Sequence, residues 1–230
     1  MPRRLAALLA GLALGGCAAP APGPGAFAFG VTGDTPYSDA EERAFEAMLA
    51  RTGTEDLAFV VHVGDFKGAG PCSDALFERR RRQFDASAHP FVFTPGDNDW
   101  VDCRRASRGG ADPLERLARL RQVFFADGWS LGRRRLALES QDRCLEPPAP
   151  RCGCAAHPEN RAWEISGVRF VTLNLPGSND NTGFDARNDE EARCRGEANR
   201  RWLAHAVAAA RAAPARALVV MVQANPFQSR

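Results

Sequence analysis

Hydrophobic residues along this chain gather in short runs separated by longer segments of helical spacing. Three of the runs end alike: FAFGVTGD closes at Asp34, LAFVVHVGD at Asp65 and PFVFTPGD at Asp97. Each reads as a strand that leaves its sheet through Gly-Asp. The aspartates are 31 and 32 residues apart, about the length of one strand-helix-strand unit, so a parallel sheet brings all three carboxylates to one edge. Glycine before each aspartate is expected to supply the sharp turn, because Gly tolerates backbone angles that other residues avoid. Between the runs, Phe45, Met48, Leu49 and Thr52 follow helical spacing. A second helix is predicted from about Ser73 to Ala86, and a third starts near Asp112-Pro113 with Leu114, Leu117, Leu120 and Phe124 turned inward.

The stretch from about 129 to 158 breaks this rhythm with four prolines and three cysteines, and reads as an inserted loop region pinned by disulfides. RAWEISGVRFVTLNL then predicts a hairpin turning at Ser166-Gly167. A long helix from about Asp189 to Ala213 carries Trp202, Leu203, Ala206, Val207 and Ala210 on one stripe, and ALVVMVQ forms a last strand ending near Gln223. These elements make an α/β domain over residues 27–230. The chain stops seven residues after Gln223, where a further loop and closing strands are expected, which predicts a domain incomplete at its C-terminal end.

The N-terminus changes the picture of where the domain resides. Arg3 and Arg4 precede an apolar stretch from Leu5 to Leu14 and small residues up to Cys17, so residues 1–16 read as a secretory signal peptide, too short to span a bilayer. Leu14-Gly15-Gly16-Cys17 resembles the lipobox of bacterial lipoproteins, which implies lipidation at Cys17, with residues 17–26 as a tether. A lipid-anchored, periplasm-facing protein of the cell envelope follows, and a soluble periplasmic one is the alternative. Setting Arg3 and Arg4 aside, the 30 basic residues fall to 28, equal to the 28 acidic ones. A neutral protein has no long-range attraction for nucleic acid or an anionic membrane, so membrane contact is expected through the anchor alone.

Of the seven cysteines, six remain once Cys17 is assigned to the lipid, and an even number in an exported chain favours disulfides. Cys72 and Cys103 lie shortly after Asp65 and Asp97, on loops predicted to be neighbours, and are expected to pair. Cys144, Cys152 and Cys154 offer a zinc knuckle as an alternative, though neither their spacing nor nearby histidines support one and disulfides are favoured.

Carboxylates brought together at a strand edge raise one another's proton affinity, and a divalent cation resolves the conflict. Asp34, Asp65 and Asp97 are the candidate ligands. Lys67, the sole lysine of the chain, is a candidate phosphate contact or counter-charge, or a surface lysine. His62 reads as a hydrogen-bonded core residue, Arg79 to Arg82 as a solvated helix face, and Gly177 to Asn181 as a turn that either faces the site or only reverses the chain.

Gly33-Asp34-Thr35-Pro36, Gly64-Asp65 and Gly96-Asp97-Asn98-Asp99, in this order and spacing, resemble the motifs of the calcineurin-like metallophosphoesterases over nearly the whole chain from Phe27. The resemblance is to a divergent branch with GDNDW-like and QANP-like sequences. It implies a β-sandwich flanked by helices that hydrolyses phosphomonoesters or phosphodiesters, with metal on Asp34, Asp65, Asp97 and Gln223, and with Asn98 and Asp99 orienting substrate and ligands. Departures from the family pattern are concentrated in its histidines. Pro36 stands where a ligand histidine is usual, Asp97 where an asparagine is, Asn98 where the proton-donating histidine is, and Gln223 where another ligand histidine is. The final histidine motif is absent from this sequence. The oxygen-rich set implies one or two hard ions, Mn or Mg ahead of Fe, Zn or Ca. A non-catalytic binding or scaffold lipoprotein, or an inactive fragment of a longer enzyme, are the alternatives.

Overall fold

The computed structural model describes residues 25–142, 152 and 156–227. The signal segment, Cys17, Cys144 and Cys154 lie outside them. The described residues form a mixed α/β fold of two sheets and four α-helices. The first sheet contains β1 (Ala28–Thr32), β2 (Leu57–His62) and β3 (Phe91–Phe93), all parallel and in that order. Helices α1 (Asp39–Thr52) and α2 (Asp74–Asp85) make the crossovers, and α3 (Pro113–Phe124) follows β3. The second sheet runs β4 (Glu139–Gln141), β5 (His157–Ile165), β6 (Val168–Thr172) and β7 (Ala217–Met221), with α4 (Ala186–Ala212) between the last two strands. Its first two pairings are antiparallel and β6–β7 is parallel.

Strand alternation assigns the layers. Phe59, Val61 and Val92 of the first sheet pack against Trp163, Phe170 and Met221 of the second. Their neighbours Val60, Phe91 and Phe93 point the other way, into a cluster with Phe45, Phe77, Phe84, Leu120 and Phe124 of the first three helices. Ala162 and Val171 meet Trp202 and Ala206 of α4. The order is therefore helices, sheet, sheet, helix. Between the sheets Phe29 stacks on Phe59 at 4.9 Å and Trp163 on Phe170 at 5.3 Å, pairs worth about 0.5–1.5 kcal/mol each beyond the area they bury.

Local chemistry sets the element ends. Ser38, Ser73, Asp112 and Asp185 each cap a helix by accepting a backbone N–H of the first turn, worth about 1 kcal/mol apiece. Asp185 holds the amides of both Arg187 and Asn188, which starts α4 three residues before the predicted Asp189. Ser166 and Gly167 turn the β5–β6 hairpin with φ of 49° and 74°, the pair of positive angles that matches strand twist.

Two expectations need correction. The segment from 129 to 158 is not simply a loop insertion, since Leu131 bridges Phe91 beside β3, residues 139–141 form β4, and His157 opens β5. Arg79 to Arg82 are not uniformly solvated either. Arg79 is half exposed whereas Arg80 is 2% exposed, because consecutive helix residues point about 100° apart and one of four must face inward. Cys72 and Cys103 are bonded as expected, and Cys152 is bonded to Cys194 of α4. No helix among the described residues is long and apolar enough to cross a membrane.

Candidate functional site

The strand ends of β1, β2 and β3 carry Asp34, Asp65 and Asp97 to one edge, as the spacing predicts. The glycines before them act differently from the expectation. Gly64 alone takes a left-handed angle, φ 96°, while Asp34 and Asp65 themselves have φ of 53° and 63°. Gly33 and Gly96 are required by lack of room. A Cβ on Gly33 would lie 2.7 Å from Val63, and one on Gly96 would lie 2.2 Å from Oδ1 of Asp65. Glycine here lets the loops touch.

Asp99 ties those loops together. It is fully buried, and its carboxylate accepts the amides of Asp65 (2.9 Å), Phe66 (2.9 Å) and Gly96 (2.8 Å). Burial pushes its pKa up to about 7 against the three amides that pull it down. Its carboxylate faces the backbone of both loops, so its effect on the site is to position Asp65.

Asp65 accepts the Asn98 amide on Oδ1 at 2.9 Å and Nε2 of Gln223 on Oδ2 at 2.9 Å. The same Gln223 nitrogen reaches Oδ1 of Asp97 at 3.2 Å, and Oε1 of Gln223 accepts the Gly177 amide at 2.7 Å. Gln223, just past β7, thereby joins the second sheet to the carboxylates of the first. Burial raises the Asp65 pKa to about 9, reinforced by Asp99 and Asp97. Asp34 is exposed and its Oδ1 accepts the Tyr37 hydroxyl at 3.0 Å. Burial, then the charge of Asp65 and the bond to Asp34, hold that phenol well above its ordinary range, so it is protonated at neutral pH.

Lys67 is 3% exposed, which removes the surface-lysine reading. Its Nζ donates to the Gly68 carbonyl at 2.9 Å, and burial followed by the Arg108 charge lowers its pKa to about 8 against Asp99, Asp102 and Asp65. Lys67 lines a cavity of about 290 Å³ together with Tyr37, Ser73 and Arg79. A larger open cleft of about 580 Å³ lies between α1 and α2, lined by Glu46, Leu49, Arg79, Arg82 and Arg133. Asp34, Asp65 and Asp97 border neither space, and the smaller cavity adjoins the sheet edge only through Tyr37, whose hydroxyl bonds Asp34, and through Lys67 of the loop after β2.

Four contributors carry no individual assignment from the sequence, which treats Ser178 only as part of a turn and Arg80 only as part of a solvated helix face. Tyr37 is one. Ser178 donates its single hydroxyl proton between Oδ2 of Asp97 (2.5 Å) and Oδ1 of Asp102 (2.7 Å), and Asp102 also meets Arg105 at 2.9 Å. Arg80 bonds the Phe66 carbonyl at 2.7 Å and Glu42 at 2.7 Å, anchoring the loop after β2 to α1. The signal for Ser178 was the loop itself. Ser178 to Asn181 have φ of 46°, 57°, 54° and 64°, and Asn and Asp tolerate that region best among side-chain-bearing residues. His62 is a core residue: it is fully buried, with Nε2–H donating to the Thr35 carbonyl at 2.8 Å and Nδ1 accepting the Gly64 amide at 3.1 Å.

The oxygen donors at the sheet edge are of the type a hard cation takes, with Asp65 strongly raised in proton affinity, but only Asp65 and Asp97 share a partner, Gln223, and the carboxylates of Asp34, Asp65 and Asp97 do not gather within 4.8 Å of one another. Tyr37 and Gln223 now supply neutral donors to the same oxygens. Gln223 would have to turn its amide away from Gly177 to present oxygen instead. Among the described residues, one trio of ligand-type atoms lies within 4.8 Å of one another, Cys152, Glu190 and Cys194. Its two sulfurs are bonded to each other, which leaves neither as a thiolate for a metal. No family model matches this sequence, and neither does any curated protein or solved structure.

Proposed function

We propose that this chain is a metal-dependent hydrolase of phosphomonoesters or phosphodiesters, on a metallophosphoesterase-like sandwich, exported to the bacterial cell envelope and anchored there through Cys17. The observation that carries the reading is the junction of Asp65 and Asp97 through Gln223 where the two sheets meet, with Asp65 pushed to a pKa of about 9. A buried carboxylate so reluctant to ionise gains from a nearby divalent cation. Asp34, Asp65 and Asp97 would hold Mn or Mg, and the bound ion would supply an acidified water and polarise a phosphoryl oxygen.

The chain's own residues prepare the site for that chemistry. Asp99 sets the two loops, Gln223 and Ser178 aim the carboxylates of Asp65 and Asp97, and Lys67 adds positive charge beside the cavity. Asn98 donates its backbone N–H to Asp65 and turns its side-chain amide toward Tyr37. An amide donates a hydrogen bond but delivers no proton near neutral pH, so the reading suits esters with good leaving groups best.

The experiment is turnover of a phosphodiester reporter by purified protein with added Mn, and with Asp65→Ala. Metal-dependent turnover that Asp65→Ala removes supports the proposal, and no turnover in any divalent metal refutes it. Pro36 and Asn98, at positions where the resemblance has histidines, favour a second reading as a non-catalytic envelope scaffold. Equilibrium metal analysis separates the two: stoichiometric metal that stimulates turnover belongs to the enzyme, and no bound metal to the scaffold.

A further inference from the structure

Tyr37 is the sole tyrosine of the chain, and it is neither a core ring nor a free surface one. Its side chain is 38% exposed, yet its hydroxyl sits between two residues of the candidate site, donating to Oδ1 of Asp34 at 3.0 Å and accepting from Nδ2 of Asn98 at 3.3 Å. Its backbone is held on three sides. The Tyr37 amide donates to Oε2 of Glu41 at 2.7 Å, and Arg80 reaches the preceding Pro36 carbonyl at 3.5 Å. Gly68 packs so closely that an added Cβ would lie 2.7 Å from the Tyr37 carbonyl oxygen. A phenol fixed this firmly at a loop position, with its oxygen among site residues, is placed for recognition more than for packing.

The ring also forms part of the wall of the 290 Å³ cavity that contains Lys67 and Arg79. Tyr37 thus stands at the lip between the carboxylates and that cavity. Asp39 and Glu42 line the same space as Lys67 and Arg79, with Glu42 paired to Arg79 at 3.3 Å, so its walls carry both signs of charge and suit a compact, hydroxyl-bearing group better than an apolar one.

We infer that Tyr37 is a further substrate-contacting residue: its hydroxyl and the Asn98 amide form a pair of donors for the oxyanion of the ester, and the cavity takes the polar group esterified to it. This rests on the hydrolase reading above. The phenol has one proton to give, now directed at Asp34. Once that oxygen of Asp34 is engaged by another partner, the same proton is free to serve an anion held beside Asn98. Tyr37→Phe removes this donor and keeps the ring, so the cavity wall survives.

Calorimetric titration of the Mn-loaded chain with inorganic phosphate, and with glycerol phosphate, tests the inference without relying on turnover. Tyr37→Phe is expected to weaken phosphate binding about tenfold, the loss of one charge-assisted hydrogen bond, while the denaturation midpoint is maintained. Glycerol phosphate is expected to bind wild type more tightly than phosphate does. Unchanged phosphate affinity in Tyr37→Phe, with binding abolished by Asp65→Ala, overturns the role of Tyr37 and leaves the hydrolase reading standing. Glycerol phosphate binding no more tightly than phosphate overturns the assignment of the cavity. A wild-type chain that binds neither Mn nor phosphate overturns the hydrolase reading and this inference together.

Discussion

Gly64 and Gly70 adopt nearly the same backbone angle, φ 96° and 97°, in opposite surroundings. A Cβ on Gly64 would lie 2.4 Å from the amide nitrogen of Gly96 and 2.7 Å from its Cα, whereas one on Gly70 would meet nothing within 4 Å. Alanine at either position costs about 1–2 kcal/mol for a side chain in the left-handed region. At Gly64 the added methyl also pushes the loop after β2 away from the loop after β3. Overpacking of that kind costs roughly 1–3 kcal/mol. The shift also endangers the bonds from Asp34 N–H to the Gly64 carbonyl (3.0 Å) and from Gly64 N–H to His62 (3.1 Å), about 0.5–1.5 kcal/mol each. Gly64→Ala is therefore expected to lose about 3–8 kcal/mol and Gly70→Ala about 1–2 kcal/mol. The first figure is a large share of the stability of an ordinary domain. Urea unfolding of the two variants beside wild type measures both, and their difference isolates the contact between the loops that carry Asp65 and Asp97. Equal losses would refute the reasoning, because the angle would then account for the whole effect and the loops would not be touching.

Two further outcomes follow from the same architecture. Replacing Cys72 and Cys103 together by serine opens a link of sequence separation 31, and unfolding free energy is expected to fall by about 3–4 kcal/mol; a loss below about 1 kcal/mol would show that the link does not constrain the unfolded chain. Burial lowers the His62 pKa to about 4 from its ordinary 6.5, so its neutral form stabilises the fold fully above pH 6.5, and that contribution is lost as pH falls toward 4, amounting to about 3 kcal/mol. The raised pKa of Asp65 acts in the opposite sense as pH falls, so the ring is best followed directly by nuclear magnetic resonance, where a His62 titration near 6.5 in the folded protein would contradict the account.

Much of the architecture was legible because burial writes itself into short-range pattern. Three apolar runs at regular intervals specify three parallel strands, and Ser73, Asp112 and Ser166-Gly167 mark ends with chemistry that acts over a few residues. The pairing of Cys72 with Cys103 followed from the same intervals. What escaped was local in space and distant along the chain. The burial of Arg80 depends on Phe66 and Glu42, and the segment 129–158 hid β4 and the start of β5 behind prolines and cysteines. The glycines show the difference best. Their presence was read correctly, but at Gly33 and Gly96 the cause is the approach of Val63 and Asp65, which no backbone preference announces.

For the site, the sequence by itself determined which carboxylates share an edge, because a parallel sheet with a constant crossover length delivers equivalent positions to the same side. Only the tertiary structure decided what each one faces. Asp99 turns inward to three amides, Asp97 to Ser178, Asp65 to Gln223 from the other sheet, and Asp34 to Tyr37. The reason is physical: hydrogen bonds form over about 3 Å whatever the separation along the chain, and the separation between Asp65 and Gln223 is 158 residues. Periodicity carries no record of such a meeting, which exists only once two sheets have packed face to face.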